Sequence, residues 1–121
     1  KGYVFEEIGK QQEALDSYDK AVQIKPDFVI ALNNKGLLQD TMGNHLGAIE
    51  TYDRALAIKP DLDIAWFNKA CAQALLSNKE GAVSSLKKAV ELNQSFKRIA
   101  RTNPDFSKIK DDPDFINVVG K

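Results

Sequence analysis

The feature that most constrains this chain is a segment that recurs at a fixed interval along it. Three alanines, Ala14, Ala48 and Ala82, follow one another at a step of 34 residues. The same step links three further sets of positions: Tyr18, Tyr52 and Leu86; Ala21, Ala55 and Ala89; Ile24, Ile58 and Leu92. Self-similarity at such a period is the signature of a repeat array, in which each repeat is one supersecondary unit.

Each period divides into two helical halves. In the middle period, apolar residues recur at steps of three and four from Phe28 to Thr41 and again from His45 to Ile58. This spacing predicts two amphipathic helices joined by a turn at Gly43. The next period repeats the pattern from Leu62 to Leu76 and from Lys79 to Leu92. The array is therefore expected to consist of helix pairs.

The sequence also indicates where these helices begin and where they approach each other. Asp27 and Asp61 each follow a proline and are candidate N-caps, and Ser95 takes that place in the next period. Gly36 lies inside a predicted helix, where glycine costs about 1 kcal/mol relative to alanine. Small residues stand one period before and after it. We therefore expect two helices to approach closely at this column.

After the third period the pattern breaks off. A fourth repeat begins at about Gln94 and ends near Asn103, because Pro104 is incompatible with a helix interior. The rest of the chain is predicted to be a loop followed by a short helix from Pro113 to Val119. Its apolar residues are expected to cap the last repeat: Phe106, Ile109, Phe115 and Val118.

With these residues the chain resembles the tetratricopeptide repeat family, which has this period and a signature of Trp, Gly, Tyr, Ala and Pro. The signature positions are filled most fully by the following residues: Gly36, Ala48, Tyr52, Ala55, Pro60 and Trp66. Lysines replace the usual leucine at Lys35 and Lys69, and Leu86 replaces an aromatic residue. Gln39 and Gln73 replace the usual tyrosine and make the contacts within each helix pair less apolar.

The resemblance implies an all-α fold, a right-handed α-solenoid of antiparallel helix pairs with a capping helix. We expect one domain over residues 1–121. Its expected parts are a truncated first repeat (1–27), a second repeat (28–61), a third repeat (62–94), and an aborted fourth helix with the C-terminal cap (95–121). Because the chain opens on Lys1 inside the first repeat, its natural N-terminus is expected to lie further upstream.

The resemblance further implies a non-catalytic scaffold that binds a peptide or a helix in the concave groove lined by the first helix of each pair. By register, the groove residues are Ile30, Asn33, Asn34, Leu37, Asp40, Thr41, Ile64, Phe67, Asn68, Cys71, Ala74 and Leu75. Asn34 and Asn68 either hydrogen-bond to a peptide backbone or serve as local hydrogen-bonding residues, since an amide offers both a donor and an acceptor. Both interpretations stay open.

Some members of the family clamp the C-terminal carboxylate of a peptide with lysine, arginine and asparagine. In this chain Ile64 and Asn68 occupy the positions of the cations, and Tyr3 replaces an asparagine. Without charge-assisted hydrogen bonds a carboxylate would bind weakly. We therefore predict no carboxylate clamp, and an apolar or helical ligand instead.

An alternative function is self-association, in which Tyr3, Phe5 and Ile8 at the incomplete first repeat stack on another copy. Nucleic-acid binding is disfavoured because the 17 basic and 17 acidic residues balance. The basic residues that would serve it are Lys87, Lys88, Lys97, Arg98 and Arg101.

Catalysis is also disfavoured. His45 is the only histidine, is expected to face outward, and has no second histidine to complete a metal site. Cys71 is the only cysteine, so no internal disulfide can form, and it is expected to be a packing residue. We expect no enzyme activity, no cofactor, no membrane partner and a cytoplasmic location.

Overall fold

The computed structural model describes residues 13, 16–18, 20 and 29–120, and every regular element in this part of the chain is a helix. The elements are α1 (Val29–Thr41), α2 (His45–Ile58), α3 (Asp63–Leu75), α4 (Lys79–Leu92), α5 (Phe96–Thr102), a 3-10 helix (Pro104–Ile109) and α6 (Pro113–Val119). The all-α prediction is confirmed. Helices α2, α4 and α6 have the predicted bounds, whereas α1 begins one residue later and α3 is one residue shorter at each end.

The helices pack as pairs that stack on one another. Helix α1 packs on α2, α3 packs on α4, and α2 of one pair contacts α3 of the next. Within the first of these pairs, the ring of Tyr52 lies directly over Gly36. A Cβ atom at Gly36 would stand 2.3 Å from Cε1 of Tyr52. This confirms the close approach predicted from the small-residue column.

A repeated polar contact explains the two glutamines that depart from the family signature. The hydroxyl of Thr51 on α2 donates to Oε1 of Gln39 on α1 at 2.6 Å. The hydroxyl of Ser85 on α4 donates to Oε1 of Gln73 on α3 at the same distance. Thr51 and Ser85 are both buried. Each glutamine therefore satisfies a buried hydroxyl within its own helix pair.

Lys69, which replaces the leucine of the family signature, makes two contacts of its own. Its Nζ lies 2.7 Å from Oδ1 of Asp53 on α2 and 5.3 Å from the centre of the Trp66 ring. The Trp66 Nε1 donates to the carbonyl oxygen of Pro60 at 2.8 Å. The ion pair therefore joins α3 to the preceding helix pair, while the cation–π contact with Trp66 lies within α3.

The second helix of each pair begins after an asparagine that the sequence pattern does not mark as a cap. The Oδ1 of Asn44 accepts from the amide of Gly47 at 3.0 Å, and the Oδ1 of Asn78 accepts from the amide of Gly81 at 3.1 Å. Both side chains act as N-caps of α2 and α4. Each cap satisfies one backbone donor that has no partner inside the helix.

The aspartate prediction for the first helix of the third repeat is wrong. Helix α3 has Leu62 at its N-cap, with no side-chain capping bond, and Asp63 instead accepts from the amide of Ile64. Ser95 does stand at the N-cap of α5, but its side chain makes no capping bond and donates to Asn93 Oδ1. Asp27 lies outside the described residues.

The turns between paired helices contain one residue with a positive φ. Gly43 adopts φ +87° after α1, and Ser77 adopts φ 64° at the equivalent place after α3. A non-glycine residue in this region costs about 1–3 kcal/mol. The two positions are one repeat period apart. Both have a positive φ, but one is a glycine and the other a serine.

Exchanging these two residues is expected to shift stability in opposite directions. Ser77→Gly should stabilise the chain by about 1 kcal/mol, and Gly43→Ser should destabilise it by about the same amount, because only glycine adopts positive φ without strain. Urea denaturation followed by circular dichroism measures both effects. A loss of stability in Ser77→Gly would contradict this account.

The C-terminal segment packs on the third repeat, and part of it differs from the prediction. Residues expected to form a loop instead form the 3-10 helix, which contacts α3. Since side chains three residues apart lie on the same side of a 3-10 helix, Phe106 and Ile109 are buried together. Arg101 fixes the end of the segment by donating from Nε and Nη2 to the carbonyl oxygen of Val119, at 2.9 and 2.7 Å.

Candidate binding groove

A cavity lies where the first helices of two repeats meet the C-terminal segment. It has a volume of about 380 Å³, which is within the range of roughly 300–1,000 Å³ typical of ligand pockets. Its lining comes from α1, α3 and the start of the 3-10 helix: Leu37, Asp40, Thr41, Phe67, Asn68, Cys71, Leu75, Asn103 and Asp105. We call this cavity, with these nine residues, the groove pocket.

The structure brings together seven of the residues predicted for the groove and leaves five outside the pocket. The seven are Leu37, Asp40, Thr41, Phe67, Asn68, Cys71 and Leu75. Outside it, Ile30 is exposed, Asn34 and Ile64 are half-buried, and Asn33 and Ala74 are buried. Residues Tyr3, Phe5 and Ile8, predicted for self-association, lie outside the described part of the chain.

Two pocket residues, Asn103 and Asp105, were not found by sequence reasoning. They belong to the C-terminal segment and reach α3 across more than thirty positions of sequence, as the contact between Asn103 Nδ2 and Cys71 Sγ at 3.8 Å shows. Helical periodicity reports only neighbours within a helix. No local signal in the sequence marked either residue.

The C-terminal segment covers one predicted groove residue. The ring of Phe67 stacks on Phe96 with centroids 4.7 Å apart, and it meets the edge of Phe106 at 5.9 Å. Phe67 is consequently buried and contributes to the wall of the pocket from within the core. Leu37 and Leu75, by contrast, are exposed at the pocket.

The asparagines in contact across the repeats are Asn33 and Asn68. The Nδ2 of Asn68 donates to Oδ1 of Asn33 at 3.1 Å, and both side chains are buried. Asn68 thus makes its hydrogen bond within the protein. Asn34, which follows Asn33 in the sequence, is half-buried. Removing the Asn68 amide would cost about 1–3 kcal/mol by leaving Asn33 without its partner, so Asn34 is the better position for testing peptide contacts.

Asp40 connects the pocket to helix α2 through two side-chain contacts. Its Oδ1 lies 2.6 Å from Nδ1 of His45, and its Oδ2 accepts from the Tyr52 hydroxyl at 3.2 Å. Burial raises the pKa of Asp40, and the hydrogen bonds from His45 and Tyr52 partly offset that rise. The prediction that His45 faces outward is therefore wrong, because its half-buried ring turns back to α1.

The Cys71 thiol is not placed for nucleophilic chemistry. Burial raises its pKa, and the carboxylates of Asp105 and Asp40 raise it further. A thiol becomes reactive when its pKa falls. Cys71 therefore fits the packing role expected of it.

Other kinds of site find little support in the described ranges. No three His, Cys, Asp or Glu side chains there form a group able to hold a metal ion. None of the helices in that part combines the length and apolar character needed to cross a membrane. Of the basic residues considered for nucleic-acid binding, Arg101 is engaged in holding the C-terminal segment.

Comparison with known proteins agrees with the repeat geometry. A family profile described as TPR repeat matches residues 2–43, and one described as tetratricopeptide repeat matches residues 29–62 and 64–96. The chain belongs to the tetratricopeptide repeat family, whose members are in general non-catalytic modules for protein–protein interaction. No curated protein matches the chain.

A solved structure shares the fold. The chain is similar to the protein in the crystal structure of MamA, with 30% sequence identity and a TM-score of 0.68. The alignment covers 75% of this chain and 53% of MamA, so the chain spans about half the length of that protein. This likeness supports the fold.

Proposed function

We propose that this chain binds a peptide or a helix of a partner protein in its concave groove, with the groove pocket as the centre of the contact. The observation that carries the proposal is the pocket itself, which joins α1 of one repeat to α3 of the next at the surface where Leu37 and Leu75 are exposed. Concave faces are the usual binding surfaces of solenoid proteins.

The exposed apolar residues support a ligand with apolar side chains. Leu37 is 41% exposed and Leu75 is 40% exposed at the mouth of the pocket, and Ile30 continues the apolar surface along α1. Burying aliphatic side chains of this size is favourable by roughly 1.5–3 kcal/mol each when it is complete. An amphipathic helix or a short apolar peptide would supply the matching surface.

A peptide selection tests this proposal and does not require the partner to be identified first. Short peptides that bind the wild-type chain are enriched from a random display library, and their affinities are then measured by fluorescence anisotropy. The variant Leu37→Ala/Leu75→Ala is expected to bind the enriched peptides at least about tenfold more weakly, because two apolar contacts are lost.

The matched control removes two exposed aliphatic residues from the outer helix α2. Leu46 is 69% exposed and Ile58 is 44% exposed, and neither lines the pocket. Leu46→Ala/Ile58→Ala should bind the peptides like the wild type. Equal loss of binding in both double variants would contradict a groove site.

Self-association through Tyr3, Phe5 and Ile8 remains a prediction, since these residues lie outside the described part of the chain. Sedimentation velocity over a range of concentrations tests it. A sedimentation coefficient that does not change with concentration would exclude this second function.

A further inference from the structure

The polar atoms that line the groove pocket are mainly hydrogen-bond acceptors. Asp40 and Asp105 contribute carboxylates. Asn68 contributes a side-chain amide, whose Nδ2 donates to Asn33 and whose Oδ1 is an acceptor. Asn68 is only 8% exposed, so its position at the pocket is fixed by the surrounding structure. These acceptors surround the pocket from α1, α3 and the 3-10 helix.

Several donor groups of the lining make contacts within the protein. The Thr41 hydroxyl donates to the carbonyl oxygen of Leu37 at 3.0 Å. The Asn103 Nδ2 lies 3.8 Å from Cys71 Sγ, and the Cys71 thiol in turn interacts with the Asp105 carboxylate. A ligand that enters the pocket meets the two carboxylates, which when ionised accept hydrogen bonds and donate none.

The lining of the pocket also carries two carboxylate groups. No lysine or arginine lines it. Among the ion pairs of the described residues, Asp40 is joined to His45, and none joins Asp105 to a lysine or arginine. Both carboxylates line the same cavity, Asp40 from α1 and Asp105 from the 3-10 helix. Such a pair favours a positive group between them.

The remaining walls suit the apolar stem of a long cationic side chain. Leu37 and Leu75 stand exposed at the pocket, and Phe67 forms part of its wall. Lysine and arginine bury their methylene groups along apolar surface while the charged end stays at a polar site. The pocket offers both kinds of surface within a single volume.

We propose that the groove pocket recognises a lysine or arginine side chain of the partner peptide, with its charged end held by Asp105 and Asp40 and by the Asn68 carbonyl. This inference rests on the proposed function and adds the chemistry of the ligand. It predicts that the partner segment carries a basic residue next to apolar ones. An acidic segment or a free C-terminal carboxylate would be repelled by the same two aspartates.

The same peptide selection provides the test. Enriched peptides are expected to contain lysine or arginine beside apolar residues. In the tightest peptide, replacing that basic residue with norleucine, which keeps the apolar stem, should weaken binding to the wild type about tenfold. Asp105→Asn should weaken the original peptide by about the same factor. The norleucine peptide should bind the wild type and Asp105→Asn with nearly equal affinity. Both changes remove the same contact, that between the basic residue and Asp105, so the second change has no further effect.

Asp111→Asn is the matched control. It removes the same charge from the same C-terminal segment at an exposed residue that does not line the pocket. It should leave peptide binding within about twofold of the wild type, since surface charges at a distance are screened. Circular dichroism melting of both variants establishes that each is folded as the wild type is.

The outcomes separate the two proposals. If the enriched peptides need Leu37 and Leu75 but show no basic residue, or if Asp105→Asn and Asp111→Asn bind them equally, the cation site is refuted and the groove proposal stands. If no peptide is enriched, or if binding ignores Leu37 and Leu75, both proposals are refuted. Dependence on the basic residue and on Asp105 together supports the inference.

Discussion

Replacing Phe106 with alanine is expected to destabilise the chain by about 3–5 kcal/mol, the usual cost of deleting a buried aromatic ring. The ring is 1% exposed and lies between two others, 5.9 Å from Phe67 and 5.5 Å from Phe115. Its loss would leave a cavity between α3 and the C-terminal segment. The midpoint of urea denaturation, followed by circular dichroism, measures the effect.

Ile99→Ala provides the comparison for this prediction. Ile99 belongs to α5 in the same segment but is 44% exposed, so its truncation should cost less than about 1 kcal/mol. If the two variants lost equal stability, the C-terminal segment would not be held by its aromatic contacts. Groove binding should also weaken in Phe106→Ala, because the segment supplies Asp105 to the pocket.

The second large effect is expected at Gly36. Gly36→Ala should destabilise the chain by about 1–3 kcal/mol, although alanine is the better helix former, because the new methyl group would overlap the Tyr52 ring. The third repeat carries a different solution at the same two positions, namely Ala70 with Leu86. Both of these residues are fully buried. At these positions the third repeat has alanine in place of glycine and leucine in place of the larger tyrosine.

This substitution pattern provides a double-mutant test. In a Tyr52→Leu background, Gly36→Ala should become neutral or stabilise the chain by up to about 1 kcal/mol, the difference in helix propensity. The four chains of the cycle are compared by urea denaturation, and the coupling energy is read from the difference. An equal cost of Gly36→Ala in both backgrounds would show that the Tyr52 ring is not what requires glycine.

The parts of the fold that could be predicted are those set by local sequence. Pro60 and the glycine of the turn mark helix ends, and the apolar spacing gives α2 and α4 with their observed bounds. The N-caps were harder to place. Asn44 and Asn78 follow residues with positive φ, and the sequence pattern does not mark them as caps, whereas Asp61, a favourable capping type, precedes the true start of α3.

The parts of the site that could not be predicted depend on contacts between distant segments. Register placed Asn34 and Asn68 at equivalent positions, but equivalent residues on successive helices point the same way and do not face each other. The residue that meets Asn68 is therefore Asn33, one position earlier. In the same way, the register predicts on which side of α3 Phe67 lies. It does not predict that Phe96 of the C-terminal segment covers that side.

The glutamine–hydroxyl pairs have a consequence for the gain or loss of repeats by duplication. Gln39 with Thr51, and Gln73 with Ser85, each complete their polar contact inside one helix pair. A tandem duplication of that unit would bring its own acceptor together with its own donor, so the new copy would add no unsatisfied buried group at the junction. Insertion or loss of one whole unit during evolution would then be tolerated more easily than a shift of half a unit, which would separate each glutamine from its hydroxyl.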